Sequence, residues 1–341
     1  MLLKTIIQGK IEFGTQKAYD MAVKMYQQRA EKYYKNDVMF TVDEIFFPED
    51  LSLSIPRLVK QVYNKSFKNT SVLLEYVVQF GLAGEMDVWQ LDNGTIKHFK
   101  HLEPSSDKAA VQSYLRGKNL VDQNGKEEEA IKALDKAIEK YDRHAQAYER
   151  RAKVNFILKK YHDALRDYNK CLAIDPNNPY AFFGKSLVLL HDGKKEEALE
   201  SLESAIKKSV ALQSIHWKAR RTKGKVHLEL KQYEKAEFDL KLFANRKFTE
   251  DNPNYKKNKE GHFLYGKTLL ALDKNLEAIE QFDLAAETVE SKKTIPMAKI
   301  IRFRGLAKQK AGKNGYIKDL KDAAEMGDAP AAKLLKELDK K

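Results

Sequence analysis

Three alanines recur at one fixed interval near the middle of the chain. Ala130, Ala164 and Ala198 are each 34 residues apart, and they lie in similar phrases such as EEEAIKALDKAIEKYD and YHDALRDYNKCLAIDP. A period of 34 residues is typical of a repeated helical hairpin, whose units bury their apolar faces only against their neighbours. The interval therefore predicts an α-solenoid before any single residue is interpreted.

The pattern continues on both sides of these alanines. In the second repeat, small or aromatic residues stand at Ala152, Ala164, Tyr168 and Cys171, and Pro176 follows in the exit turn. Small residues are needed where the two helices of a hairpin touch, and larger ones fill the gap to the next hairpin. The corresponding residues of the other units are Gly117, Ala130, Leu134 and Ala137; Ser186, Ala198, Leu202 and Ala205; Gly224, Ala236, Leu240 and Phe243; Gly266, Ala278, Phe282 and Ala285; and Gly305 with Ala323 in a degenerate sixth unit.

From about Lys108 to Leu338 the chain resembles the tetratricopeptide repeat (TPR) family. The resemblance implies a mostly α fold, in which a small N-terminal α+β domain is followed by an α-solenoid of about six TPR-like hairpins. It also implies a scaffold for protein–protein interaction rather than an enzyme. The expected repeats lie near 109–143, 145–178, 179–212, 217–250, 259–292 and 298–326, and a closing helix is expected over 329–338.

Residues 1–104 are predicted to form the α+β domain, and we identify no family resemblance in them. The run Lys4–Phe13 is rich in β-formers, and Thr15 can cap a helix that continues to about Tyr34. A second strand is expected over Thr41–Pro48, and a second helix over Leu58–Gln79. Since residues 105–341 contain whole hairpins, we expect them to fold as a separate domain.

A β-hairpin is predicted at the end of this first segment. Asn93 and Gly94 separate two alternating runs, and both residues tolerate the positive φ that a tight hairpin turn requires. His98 and His101 lie on the second of these runs. Residues three apart on a strand point to opposite faces, so we interpret the two histidines as exposed polar positions rather than as a metal pair.

Composition restricts the functional class. The chain carries 62 Lys and Arg against 49 Asp and Glu, a formal net charge of +13. Residues 1–100 hold 13 against 12 of these, which leaves 49 against 37 in the remainder, so the repeat region is the basic one. The single cysteine, Cys171, allows no internal disulfide and is predicted to be a buried packing residue. No secretory leader and no long apolar segment is evident, so we expect a cytoplasmic protein. We also expect it to bind neither a cofactor nor a metal ion.

The first helix of each hairpin lines the inner face of the solenoid in the resembled family. On the repeat alignment these positions carry cations interleaved with aromatic rings, and Glu149 and Glu260 are the acidic exceptions. Such a groove suits an acidic or extended partner segment, although a lysine-rich helix face is ordinarily only a solvated surface. The candidate partner-binding residues are Tyr114, Lys118, Arg150, Lys153, Phe156, Tyr180, Phe183, Lys218, Arg221, Lys225, Phe263, Lys267, Lys299 and Arg302.

Two functions of different class fit this groove. The first is a cytoplasmic scaffold or adaptor that binds a protein partner. The alternative is an RNA- or ribonucleoprotein-associated protein, in which the cations follow a phosphate backbone and the rings stack on bases. The net charge favours a polyanion, whereas the many interspersed acids and the lack of a known RNA-binding motif favour protein.

Two further classes are disfavoured by particular positions. Heat-shock chaperone adaptors of this family bind a terminal carboxylate through a two-carboxylate clamp of Lys, Asn, Asn, Lys and Arg. The matching positions here hold Tyr114, Lys118, Arg150, Tyr180 and Gly184, so the clamp is absent. No Ser/His/Asp, Cys/His or paired-carboxylate arrangement points to an enzyme.

Overall fold

A computed structural model describes residues 1–288 and 295–338, and the chain divides by its internal contacts into two compact units, Met1–Val188 and Leu189–Lys341. The first unit begins with five strands that form one antiparallel sheet in the order β2-β3-β1-β4-β5. The elements of this α+β region are β1 (Leu2–Glu12), α1 (Gln16–Tyr34), α2 (Val42–Ile45), β2 (Phe46–Phe47), β3 (Ser52–Tyr63), α3 (Asn64–Val78), β4 (Ala83–Asp92) and β5 (Thr95–Leu102).

Helices α1 and α3 share a core with the sheet. Ile7 and Ile11 of β1 and Tyr26 of α1 are almost completely buried in it. The predicted cap of α1 is confirmed, since the Thr15 hydroxyl accepts a hydrogen bond of 3.2 Å from the backbone N–H of Ala18. The Asn-Gly turn is confirmed as well: φ is 47° at Asn93 and 83° at Gly94, between β4 and β5.

Two sequence predictions in this region were wrong. The helix expected from Leu58 begins only at Asn64, because residues 52–63 form strand β3. Apolar residues at Leu58, Val59 and Val62 satisfy a helical and a strand spacing over so short a run, and the sheet decides between them. Pro56 is tolerated because β2 pairs only with Ser52 and Leu53, so β3 is an edge strand at the proline. The strand expected over 41–48 is mostly the short helix α2, with β2 after it.

The remaining elements are helices at the repeat positions. Helix α8 crosses the boundary between the two units, and the others belong to one unit each. No helix in the described residues is long and apolar enough to span a bilayer. The helices are α4 (Ala109–Leu120), α5 (Glu127–Lys140), α6 (Ala145–Ile157), α7 (Tyr161–Ile174), α8 (Pro179–His191), α9 (Lys195–Lys208), α10 (Ser214–Glu229), α11 (Tyr233–Ala244), α12 (Asn258–Ala271), α13 (Asn275–Glu287), α14 (Met297–Lys310), α15 (Tyr316–Glu325) and α16 (Ala329–Leu338).

The small residues of the repeat pattern lie at helix contacts, as predicted. Ala164 and Cys171 are fully buried, and burial raises the pKa of the Cys171 thiol. A Cβ on Gly117 or Gly224 would lie 2.6 Å from the side chain of Leu134 or Leu240, so only glycine allows these helices to approach so closely. Residues 289–292, the predicted end of the fifth repeat, lie outside the described residues.

Arginine–aspartate pairs join helices around the second and the sixth repeats. Arg151 of α6 makes two hydrogen bonds, of 2.8 and 2.7 Å, to the buried Asp167 of α7 and one of 2.6 Å to Asp135 of α5. Arg304 of α14 repeats this arrangement with Asp319 and Asp283. A planar guanidinium can bridge two carboxylates in this way, which fixes the register of three successive helices.

The first hairpins are bonded to the sheet within the first unit. The Tyr141 hydroxyl donates a 2.6 Å hydrogen bond to the buried Glu12 carboxylate of β1. The backbone N–H of Gly84 in β4 donates to the side-chain oxygen of Gln146 in α6 at 3.1 Å. The compact unit that contains the sheet, Met1–Val188, therefore also contains these hairpins.

The long connection before α12 is packed rather than extended. Phe248 contacts the rings of Trp217 and Phe243 at centroid distances of 5.9 and 5.2 Å. Asn254 donates a 2.8 Å hydrogen bond to the carbonyl of Ser214, and a turn of 3₁₀-helix follows at Tyr255–Lys257. These contacts anchor the inserted residues to α10.

Candidate functional site

The predicted groove cations of the first unit are paired with carboxylates of the same unit. Lys118 donates hydrogen bonds of 2.8 and 2.7 Å to the two carboxylate oxygens of Glu103, just after β5. Lys153 lies 2.6 Å from Asp122. Arg150 lies 3.3 Å from Glu149 and 5.9 Å from the ring centroid of Tyr180.

Acidic residues of the sheet region lie close to two of these cations, Lys118 and Arg150. His101 lies 2.7 Å from Asp87 and 3.9 Å from Glu103, and its hydrogen bonds to these carboxylates, Asp87 foremost, raise its pKa to about 10. Burial raises the pKa of Glu103, but hydrogen bonds from His101 and Lys118 outweigh it and lower the pKa to about 2. His98 lies apart from this cluster and stacks on the ring of Phe67 of α3, with the ring centroids 6.0 Å apart.

The aromatic candidates of the first unit are mostly internal. Tyr114 and Phe183 are buried, with 5% and 6% of their surface exposed. The Tyr114 ring lies 4.5 Å from that of His144, and Phe156 contacts Tyr161 edge to face. These rings pack the helices of the first unit.

Two candidates in the second unit are also paired. Arg221 lies 3.7 Å from Glu260 and 5.4 Å from the ring centroid of Phe243. Arg302 lies 2.9 Å from Asp328, in the turn before α16. Lys218 is exposed on α10. The acidic residues that the sequence shows as exceptions, Glu149 and Glu260, are thus partners of two of the predicted cations.

The other four candidates of the second unit lie together. Lys225, Phe263, Lys267 and Lys299 line one cleft of about 700 Å³ between helices α10, α12 and α14, which we call the lysine–phenylalanine cleft. Leucines and a second phenylalanine provide its apolar part. These apolar residues are Leu228, Leu264, Leu270, Phe303 and Leu306.

Two amines of the cleft are held at a pair of rings. Phe263 and Phe303 meet edge to face with their centroids 5.5 Å apart. The Lys267 ammonium lies 5.4 Å from the Phe303 centroid, and the Lys299 ammonium lies 5.7 Å from the Phe263 centroid. Cations at such distances are attracted by the ring quadrupole, so the rings restrict where the amines lie.

These amines lack carboxylate partners. No Asp or Glu among residues 1–288 and 295–338 forms an ion pair with Lys225, Lys267 or Lys299. Burial lowers the pKa of Lys267, and repulsion from Lys299 and Arg302 lowers it further, although the charge of Glu229 acts weakly in the opposite direction. Glu229, the one acid among the described residues that line the cleft, is bound by Lys195 at 3.0 Å. The cleft is therefore cationic and has apolar walls.

The sequence pattern did not identify the apolar part of the cleft. Leu228 and Leu270 each stand three residues after a predicted lysine, and Leu306 stands four after the predicted Arg302. Positions i, i+3 and i+4 share a face of a helix, so continuing the predicted positions by one turn toward the C-terminus of each helix gives these leucines. Within the described residues, no group of three or more His, Cys, Asp and Glu is arranged to hold a metal ion.

Comparison with known proteins agrees with the helical architecture. Residues 145–178 and 167–200 match the tetratricopeptide repeat family. No curated protein sequence matches the chain significantly.

Similar solved structures include the following two. One is YrrB, described as a TPR protein with an unusual peptide-binding site; it is 21% identical, with 61% of this chain and 99% of YrrB covered and a TM-score of 0.51. The other is PilF of Pseudomonas aeruginosa, 20% identical, with 68% of this chain and 98% of PilF covered and a TM-score of 0.53. At these identities the likeness shows the fold. The chain thus contains tetratricopeptide repeats, a helical fold that serves as a scaffold for protein interactions.

Proposed function

We propose that this protein is an interaction scaffold, and that its lysine–phenylalanine cleft binds an extended acidic segment of a protein partner. The observation that carries the proposal is the set of three amines, on Lys225, Lys267 and Lys299, that lie in one cleft without a carboxylate partner in the described chain. Acidic side chains of a bound segment would pair with these amines, and apolar side chains would contact the leucines and Phe303.

The other predicted groove cations support the same choice of site. Lys118, Arg150, Lys153, Arg221 and Arg302 already have carboxylates nearby, so a ligand would have to replace an existing pair. At the lysine–phenylalanine cleft it would gain new pairs instead. YrrB, which has a similar fold, is described as having a peptide-binding site. The proposed role is binding rather than catalysis. We propose that the protein acts as an adaptor in the cytoplasm.

Selection of ligands from defined libraries tests the proposal. The full chain would be immobilised and offered a library of random peptides and, separately, a library of random single-stranded RNA. We expect enrichment of peptides that combine Glu or Asp with Leu, Ile or Phe. The double variant Lys225→Glu and Lys299→Glu should not retain these peptides, because two attractive charges become repulsive while both side chains are exposed.

A matched control variant separates the cleft from overall charge. Lys318→Glu with Lys321→Glu changes two exposed lysines of α15, outside the cleft, and should retain the selected peptides. Peptides without acidic residues, or equal loss in both variants, would contradict the proposal. Enrichment of RNA that only the cleft variant loses would favour the ribonucleoprotein alternative, with affinity falling steeply as salt rises.

A further inference from the structure

The charges of the lysine–phenylalanine cleft are out of balance. Among the residues that the structure describes, five lysines and one glutamate line it. Lys310 is paired with Asp273 at 2.8 Å and Glu229 with Lys195 at 3.0 Å, so both of these charges are already compensated. Lys225, Lys231, Lys267 and Lys299 form no ion pair with a carboxylate of the described residues.

A ligand with one negative charge at a single point would leave most of this charge uncompensated. Lys267 and Lys299 are directed by neighbouring rings, Phe303 and Phe263, whose centroids are 5.5 Å apart. Two ammonium groups held at one ring pair can both donate hydrogen bonds to a compact group with several acceptor oxygens. A planar carboxylate offers two such oxygens and one charge, whereas a phosphomonoester offers three oxygens and nearly two charges at neutral pH.

We propose that the lysine–phenylalanine cleft recognises a phosphomonoester dianion carried on an extended protein segment. The phosphate would be held by Lys267 and Lys299, with Lys225 on the facing helix α10. The apolar side chain that carries or adjoins the phosphate would contact Phe303 and the leucines. This inference rests on the proposed function and specifies the chemistry of the bound segment.

Small molecules that differ in charge test whether the cleft prefers a phosphate to a carboxylate. Binding of phenyl phosphate and of benzoate to the full chain would be measured by titration calorimetry at about pH 7.5 and about pH 5, on either side of the second phosphate pKa of about 6. We expect phenyl phosphate to bind about fivefold more tightly than benzoate at the higher pH, an advantage that corresponds to one further exposed ion pair. The advantage should disappear at the lower pH, where the phosphate loses its second charge.

Variants locate the phosphate site, and a peptide probe tests whether the phosphate is carried on a protein segment. Lys267→Gln should remove the advantage of phenyl phosphate, and Lys318→Gln on α15 should keep it. A short phosphotyrosine peptide with flanking Ala and Leu should bind more tightly than phenyl phosphate, because its backbone and neighbours extend along the cleft.

Each contrary result has a defined meaning. Equal binding of benzoate and phenyl phosphate, or an advantage that persists in Lys267→Gln, would overturn the phosphate inference even if acidic peptides still bind the cleft. If the phosphopeptide binds no more tightly than phenyl phosphate, the ligand would be a small phosphate-bearing molecule rather than a protein segment. Failure of every acidic peptide, in contrast, would overturn the proposed function itself.

Discussion

Lys118 of the first unit and Lys225 of the second occupy the same position in their repeats, one residue after a glycine that packs on leucine, and their surroundings differ. Lys118 is bound by both oxygens of Glu103, whereas Lys225 is exposed in a cleft with no acidic partner in the described chain. The repeat pattern determines where each residue lies on its helix. Whether its charge is available to a ligand depends on which carboxylates the rest of the unit brings to it.

The α+β region makes this difference in the first unit. Glu12, Glu85, Asp87 and Glu103 all come from its strands or from the residue after β5. Glu103 forms an ion pair with Lys118, and Glu12 forms one with Arg143 of the first hairpins. Glu85 interacts electrostatically with Arg150. The second unit has no such sheet among its described elements, and lysines of its cleft form no ion pair with a described carboxylate.

The largest expected effect comes from removing residues 1–104. Deletion would leave Tyr141, Gln146 and Lys118 without the partners described above and would expose apolar surface of the first hairpins. We expect amide exchange over residues 109–157 to accelerate strongly, while residues 214–287 keep their protection, as measured by hydrogen-exchange mass spectrometry. The sequence alone predicts that residues 105–341 fold independently. Equal protection of both regions in the deletion variant would support that prediction and would contradict the loss of protection expected over residues 109–157.

Charge reversal at the matched lysines gives a smaller effect. Lys118→Glu places a carboxylate against Glu103, which is half-buried, and should lower the free energy of unfolding by about 1–3 kcal/mol. Lys225→Glu at the equivalent exposed position should change it by less than about 0.5 kcal/mol. Urea denaturation of the two variants provides the comparison. Equal destabilisation would mean that Lys225 has a structural partner.

The smallest expected effect is a pH dependence confined to the first unit. The pKa of His101 is raised from 6.5 to about 10, so its protonated form stabilises the folded state. Because the folded pKa is the higher one, this stabilisation is complete below about pH 6.5 and is lost as pH rises through about 10. The thermal midpoint of wild-type protein should exceed that of His101→Gln at pH 6, and the difference should shrink by pH 10.5. A difference that stays constant would show that His101 acts by packing alone.

The architecture of the repeats is predictable from the sequence because their contacts are local. Ala130, Ala164 and Ala278 are fully buried where their spacing places them, and the Asn-Gly turn needs only its two residues. The edge strand β3 was not predictable, since Leu58 to Val62 suits two periodicities and only its pairing with β1 decides. The pairing of groove cations was not predictable for a similar reason. Glu103 and Lys118 are close in sequence, but Arg221 and Glu260 are brought together only by the fold.

The central claim is that the amines of the lysine–phenylalanine cleft are available and those of the first unit are not. Lys267 and Lys118 are a suitable pair to compare, because both are partly buried and only Lys118 is held by a carboxylate. The lowered pKa of Lys267 also leaves more of its amine unprotonated and nucleophilic.

The most direct measurement is the acetylation rate of each lysine in the intact full-length protein, followed by quantitative mass spectrometry after brief treatment with an N-hydroxysuccinimide acetate. We predict that Lys267, Lys225 and Lys299 react faster than Lys118 and Lys153, and that an acidic peptide selected on the chain protects only the first three. Equal or faster acetylation of Lys118, or protection of Lys118 rather than Lys267 by the peptide, would contradict the account.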